Sequence, residues 1–588
     1  MALGVVVAPV LILLLFAGPV WASDQNLPRI CIEDGCMIGT WMKSVRNEWF
    51  EAFFGIPFAK PPVGELRFAN PVPNDRWAKK QLDATGRFPK PPCVQVDLFT
   101  NGIGVEGNED CLYLNVYRPI PARKNPVTNN ATASPKLPTV VYIHGGGYFS
   151  GTNSPLILGP EKLMVHPVIL VTIAYRVGLL GFFSTGDEAA SGNFGLKDQR
   201  LALRWVHRNI RIFGGDPRLV TIMGQSAGGS SVQLQMMHLG NEGLFQRAIS
   251  LSGSALAPWS TPQGNLERLA RLQATIAGIK DANTMSTSKL VKALRAIDAK
   301  RLASSIAGFT NGSLFPVFVY GPTVEKTTVK DAFLTATPQE LWSLGAYLPV
   351  PWLTGILPND GSALSAPFLN LTTRTSGAET SIQLDALLLY IMRGTNNPNA
   401  VPLLKERFFS NASSFGGYLT KENIGSLTKL FNEGAFYYPM ALSVKQQFQH
   451  KKGSSTSSPA TYVYKFNYKG QFSYSSFFAT GYNSTLSQDF GIVHSDDTIY
   501  IFRTPALFPD FQRGSPDAQA SQRFTKFLVD FARTGYADEL LRSSNARDGF
   551  PLAIEFFNKE NKQDPLGLRL TYIYDKDILN FWTTIYSS

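Results

Sequence analysis

The sequence predicts an α/β fold: one large, mostly parallel sheet covered by helices on both faces. Three observations lead there. Apolar runs of strand length alternate with helix-like stretches, the pattern of a sheet wrapped by its own crossovers. Of the 588 residues, 44% are hydrophobic and 17% charged, enough for a large core and too apolar for disorder. One apolar run, Leu219-Val220-Thr221-Ile222-Met223, leads through Gly224-Gln225-Ser226-Ala227-Gly228 into a helix start, a strand–turn–helix unit. Length alone does not force a second domain, because large α/β sheets reach this size as one elaborated unit.

In chain order, the strand-like runs are Leu112 to Tyr117, Thr139 to Ile143, Val168 to Ala174, Leu219 to Met223, Ala248 to Leu251, Trp352 to Leu357 and Thr461 to Phe466. The helix-like stretches include Leu196 to Asn209, Asn265 to Ala277, Thr287 to Ser304 and Ser521 to Arg533. Two low-complexity patches, Pro119 to Pro138 and Lys451 to Pro459, read as surface loops. No internal repeat or interdomain linker stands out. In such sheets, sites form beyond the carboxyl ends of the strands.

Met1 to Ala22 has the form of a secretory signal. Its apolar run, Leu11 to Ala17, is too short to span a bilayer, and Val20-Trp21-Ala22 has the small-residue pattern of a cleavage site. No Lys or Arg precedes the run, which departs from the usual signal. Residues 23–588 are then expected to form a single exported, extracellular domain. No later stretch is long and apolar enough to span, and the C-terminus lacks the tail of a lipid-anchor signal, so no stable membrane anchor is expected. Sequons at Asn130, Asn311, Asn370, Asn411 and Asn483 agree with export.

The four cysteines, Cys31, Cys36, Cys93 and Cys111, allow three pairings. The sequence-local one is simplest: Cys31–Cys36 and Cys93–Cys111. No histidine lies near them, which argues against a metal site. The net charge of +11 is scattered, without a long Lys/Arg run or a nucleic-acid motif. It reads as a solvated basic surface, and no nucleic-acid partner is expected.

The strand–turn–helix unit is a G-x-S-x-G nucleophile elbow. The tight turn strains the serine backbone and lifts its hydroxyl above the sheet, so its neighbours two positions away must lack side chains. A serine needs a base, and the base an orienting acid. Six histidines are available. His144 precedes three glycines and His207 lies in a helical stretch; His166, His238 and His450 have no motif around them. His494, in Gly491-Ile492-Val493-His494-Ser495-Asp496-Asp497, lies C-terminal to the elbow in a turn-like segment, as the order Ser…acid…His demands. For the acid, Asp360 fits, in a turn after the apolar run that starts at Trp352. By spacing alone it stands level with Glu325, Glu340 and Glu379, and its plain alternative is turn chemistry in Asn359-Asp360-Gly361. His144-Gly145-Gly146-Gly147 follows a strand and matches an oxyanion motif. The expected donors are the N–H groups of Gly146, Gly147 and Ala227. No metal or organic cofactor is called for. Trp259 and Phe315 are pocket candidates that equally suit plain packing.

These residues resemble the type-B carboxylesterases, cholinesterase-like members of the α/β-hydrolase fold. Phe54-Gly55-Ile56-Pro57-Phe58-Ala59, with Pro61-Pro62-Val63-Gly64 and Leu66-Arg67-Phe68, matches the family's first signature. Glu109-Asp110-Cys111-Leu112-Tyr113-Leu114-Asn115 matches its second, and Gly192-Asn193, Asp198-Gln199 and Phe213 to Gly228 match further stretches. The resemblance implies an α/β-hydrolase fold, a serine esterase, Asp360 as acid where most members carry Glu, and His494 as base. It implies the Cys93–Cys111 bridge and leaves Cys31 and Cys36 unassigned. Gln225 stands where acetylcholinesterases carry Glu, and 94–110 lacks the tryptophan they use to hold a quaternary ammonium. A small, neutral, apolar ester is therefore the expected substrate. Gly-Gln-Ser-Ala-Gly is also similar to the elbow of insect juvenile hormone esterases, which implies a sesquiterpenoid methyl ester. The alternatives are a broad-specificity carboxylesterase and, more distantly, an adhesion protein without catalysis; the latter's mark would be a missing serine or histidine.

Overall fold

The computed structural model describes residues 27–77, 80–96, 104–120, 136–261, 264–309, 319–373, 382–392, 395, 397–410, 417–452, 460–480, 489–537, 550–560 and 565–586. The proposed signal 1–22, Asn130, Asn311, Asn411, Asn483, Phe315 and Glu379 lie outside the described residues, as does the side chain of Asn370.

The strands run β1 (Arg29–Ile32), β2 (Gly35–Ile38), β3 (Thr40–Lys43), β4 (Trp49–Pro57), β5 (Leu82–Asp83), β6 (Gln95–Val96), β7 (Val105–Glu106), β8 (Tyr113–Pro119), β9 (Leu137–Ile143), β10 (Ile169–Ile173), β11 (Gly215–Gln225), β12 (Arg247–Leu251), β13 (Trp352–Ile356), β14 (Thr461–Asn467), β15 (Ala553–Asn558) and β16 (Leu566–Thr571). An 11-stranded sheet has the order β16-β15-β14-β13-β12-β11-β9-β10-β8-β4-β3. From β15 to β10 every pairing is parallel. Antiparallel strands finish both sides: β16 on one, and β8, β4 and β3 on the other. This is the expected α/β-hydrolase sheet. Successive residues of β9 serve opposite cores: Val141 and Ile143 join one buried cluster, Val140 and Tyr142 the other. Both faces are covered, so the strands read as unbroken apolar runs.

All seven expected runs are strands, β8 to β14. The sequence did not announce β3, β4, β15 and β16, and the reason is charge. Buried Glu51 in β4 pairs with Arg118, and buried Glu555 in β15 with Arg569 at 2.7 Å. A paired charge breaks an apolar run without breaking a strand. The helix expected over Thr287 to Ser304 is two, Thr287–Arg295 and Ala299–Ser304. The Asp298 carboxylate starts the second by accepting from Arg301 N at 2.9 Å.

Both local cysteine pairs are bridged, Cys93–Cys111 and Cys31–Cys36. Cys31 and Cys36 stand directly opposite across the β1–β2 hairpin, with Cα atoms 3.9 Å apart. Between β13 and β14 the chain inserts helices Leu384–Ile391, Ala400–Phe408, Ile424–Phe431 and Tyr438–Lys452; helix Lys576–Tyr586 packs with them. Among the described residues, no helix is long and apolar enough to cross a membrane.

Candidate active site

Strand β9 pairs with β10 on one side and β11 on the other, so the strand order reverses there. Connections leave such a point in opposite directions and open a crevice at the carboxyl ends of the strands. The segment 144–147 leaves β9 at this crevice, and Ser226 leaves β11. Ser226 has φ 57° and ψ −122° and caps the fully buried helix Ala227–Met237. Its N–H donates to Leu251 O at 2.8 Å, which ties the turn to β12. A Cβ on Gly228 would lie 2.1 Å from Ile143 O, so only glycine lets the helix start this close to β9.

His494 and Asp360 come together from distant segments. His494 Nδ1 lies 2.8 Å from Asp360 Oδ1, with both residues buried. The other carboxylate oxygen, Oδ2, accepts from Leu357 N at 2.8 Å and Ser252 Oγ at 3.0 Å. One backbone bond, Asn359 N to Ile492 O at 3.0 Å, joins the acid turn to the base turn. Asp496 fastens the base turn by accepting from Val493 N at 2.9 Å, Tyr474 N at 2.8 Å and Ser473 Oγ at 2.8 Å. Burial pushes its neighbour Asp497 up to about 7; the Tyr464 hydroxyl opposes this shift and the Asp360 charge adds to it. An imidazole held this way, with Nδ1 on a carboxylate, offers Nε2 as a base.

Ser226 Oγ has no hydrogen-bond partner among the described residues, and His494 Nε2 instead meets the Gln225 amide nitrogen at 3.0 Å. The N–H groups of Gly146, Gly147 and Ala227 are likewise taken by no acceptor among the described residues. Two of the rival acids, Glu325 and Glu340, are engaged elsewhere. Buried Glu325 holds Lys197 Nζ at 2.5 Å and Asn193 Nδ2 at 2.8 Å, while exposed Glu340 closes a capping box with Thr337. The other histidines also have structural surroundings. His144 stacks on Tyr175 at 4.2 Å, and burial lowers it to about 4. His166 meets Thr525 Oγ1 at 2.9 Å, and His238 stacks on Phe333 at 4.6 Å.

The signature residues prove to be braces. Arg67 grips Glu109 through two bonds of 2.6 Å, joining the first signature to the second beside the Cys93–Cys111 bridge. Arg176 grips Asp198 at 2.7 and 2.8 Å. Asn193, with φ 55°, caps the helix that carries Asp198.

A π-helix and the contacts it makes had no signal in the sequence. Residues Asn432–Tyr437 form a π-helix, a form found mostly as short insertions at functional sites. Its Asn432 Oδ1 accepts from Gly361 N at 2.5 Å, next to Asp360, and its Phe436 ring lies 4.9 Å from the His494 ring. Behind Phe436, 5.9 Å away, stands Trp259, one wall of a cavity of about 550 Å³. Its lining includes Leu364, Met392, Leu430, Phe431 and Trp582, and carries no charged side chain. Trp259 is therefore a cavity wall, fixed by its indole N–H on Ala435 O at 2.9 Å.

The description "Carboxylesterase family" matches residues 26–563. A juvenile hormone esterase of Tribolium castaneum is 36% identical over 88% of this chain and 85% of its own. A venom carboxylesterase-6 of Apis mellifera is 31% identical over 90% of each chain, and an esterase E4 of Myzus persicae 33% over 88% of each. A crystal structure of juvenile hormone esterase from Manduca sexta, with OTFP covalently attached, aligns with a TM-score of 0.76 at 24% identity. That alignment covers 96% of this chain and 100% of the other, and it supports the fold. With its elbow, the buried Asp360–His494 pair and a family match across nearly its whole length, the chain belongs to the carboxylesterase family and is a carboxylic-ester hydrolase.

Proposed function

We propose that this enzyme is exported, loses residues 1–22, and hydrolyses the methyl ester of juvenile hormone to the acid and methanol. The observation that carries the substrate is the uncharged, apolar cavity separated from His494 by two rings in series, Phe436 and Trp259. At about 550 Å³ it has the size and lining of a site that encloses a small apolar molecule. Gln225, in place of a carboxylate, spares the site a negative charge. The similarity to the Tribolium enzyme points the same way.

Ser226 attacks the ester carbonyl while His494 Nε2 takes its proton. Asp360 keeps the imidazole in the required tautomer and stabilises the cation that forms. The N–H groups of Gly146, Gly147 and Ala227 receive the oxyanion. The alcohol leaves with the proton from His494, and water activated by His494 then releases the acid.

A second reading, a broad-specificity carboxylesterase, draws on the comparable identities to the Apis and Myzus proteins. Purified enzyme assayed with juvenile hormone and with short-chain aryl esters separates the two. A kcat/KM at least tenfold higher for the hormone supports the specialised enzyme; equal or better values for the aryl esters establish the broad one. The adhesion reading has no support in the site, where serine, acid and histidine are all present.

A further inference from the structure

The residue that fills the variable position before the serine touches the catalytic base. A carboxylate can only accept, so in the 2.8 Å contact with Asp360 the proton sits on His494 Nδ1, and Nε2 presents its lone pair. The Gln225 amide nitrogen, which carries two N–H groups, lies 3.0 Å from His494 Nε2 and 2.7 Å from Ser495 Oγ. Both receivers are fixed. Ser495 is held at φ 73°, a left-handed conformation costly for serine, and Asp496 pins the backbone around it. The amide also has a prepared seat. A Cβ on Gly145 would lie 2.5 Å from Gln225 Oε1, so the first glycine of the 145–147 run makes room for this side chain.

We propose that Gln225 is a latch on the base, a positioning residue that blocks Ser226 until substrate arrives. The inference rests on the assignment of Ser226, His494 and Asp360 above. One lone pair cannot take two strong in-line donors. While the amide occupies Nε2, the Ser226 hydroxyl keeps its proton and stays a poor nucleophile. An ester large enough to crowd the amide displaces it and frees Nε2; a small ester meets a latched base. The latch thus selects for bulky esters through the base itself, independently of how well they fit the cavity.

The test compares p-nitrophenyl acetate with a long-chain apolar methyl ester in wild type, Gln225→Met and Ser495→Ala. Methionine keeps the length and removes both donors; alanine removes one anchor and leaves Gln225 intact. Thermal unfolding checks each variant's fold. The ratio of kcat/KM for the small ester over the large one should rise about three- to tenfold in Gln225→Met, the span of one neutral hydrogen bond, and less in Ser495→Ala. An unchanged ratio, or a fall for the small ester alone, overturns the latch. Failure of the underlying reading looks different: Ser226→Ala would keep its turnover of both esters.

Discussion

The crevice at the ends of β9 and β11 and the wall of the cavity, drawn from the segment after β12, the helices between β13 and β14 and the helix Lys576–Tyr586, are built on different principles. The crevice is made of backbone. Its side chains are few and polar, and its tolerances are set by atoms such as Ile143 O, which leaves no space for a side chain on Gly228. The wall is made of side chains: Trp259, Leu430, Phe431, Met392 and Trp582 enclose a void that backbone geometry does not define. On the proposed reading, chemistry belongs to the sheet and selection to the wall. Four substitutions sharpen or break that division, and their expected effects descend from rate to selectivity to stability.

Asp360→Asn should have the largest effect. It keeps the shape but loses the carboxylate that holds His494 Nδ1 at 2.8 Å, and the tautomer is no longer set. The expected loss in kcat is about 10³- to 10⁴-fold with KM little changed. A loss below tenfold would mean that this carboxylate is not the orienting acid. Next is Gly228→Ala, whose methyl would meet Ile143 O at 2.1 Å and push the elbow away from β9. A shift of this size costs about 10²-fold in kcat, because the hydroxyl and its partners lose alignment. If activity survives while the melting temperature falls, the strain is structural and the crevice is less exacting than its geometry indicates.

Phe436→Ala tests the wall. It removes one of the two rings, Phe436 and Trp259, that part His494 from the cavity, so long-chain esters should gain about tenfold in kcat/KM over short-chain ones. The triad chemistry should persist, at a stability cost of about 3 kcal/mol for the lost ring. A chain-length profile identical to wild type would separate the cavity from the substrate path.

The same division explains what the sequence could and could not reveal. Backbone requirements leave local marks. The glycines around Ser226 and those after His144 lie within a few positions of the atoms they accommodate, so the turn at Ser226 and the glycine run at 145–147 could be read from spacing. Asp360 was harder: it differs from Glu325 only through contacts made far along the chain, with His494 in one case and Lys197 in the other. The wall left little mark: in the sequence, Trp259 is a pocket candidate no better than a packing residue. Phe436 is one phenylalanine among 40, and its position comes from a π-helical turn that no period in the sequence announces. The Gln225 contact was hidden for a third reason. Its identity is in the motif, but its direction depends on Ser495, 270 residues away.

The smallest effect belongs to Asp497, which lies behind the crevice and serves neither chemistry nor selection. Its side chain is fully buried, and Oδ2 accepts from Tyr464 OH at 2.8 Å while Oδ1 has no hydrogen-bond partner among the described residues. Asp360, His494, Asp496, Tyr142 and Tyr474 are the other ionisable groups around it. Burial raises this carboxyl from 3.8 to about 7 in the folded chain, so the folded state holds its proton more tightly than the unfolded state does. The stability that follows is complete below about pH 4 and is lost as the pH climbs through 7. A carboxamide in its place has no proton to lose over this range. Asp497→Asn should therefore melt close to wild type at pH 5 and about 2 °C above it at pH 8. A difference that stays constant between these pH values would show that the charge of Asp497 does not enter the balance, and that the crevice tolerates a second carboxylate beside Asp360 without penalty.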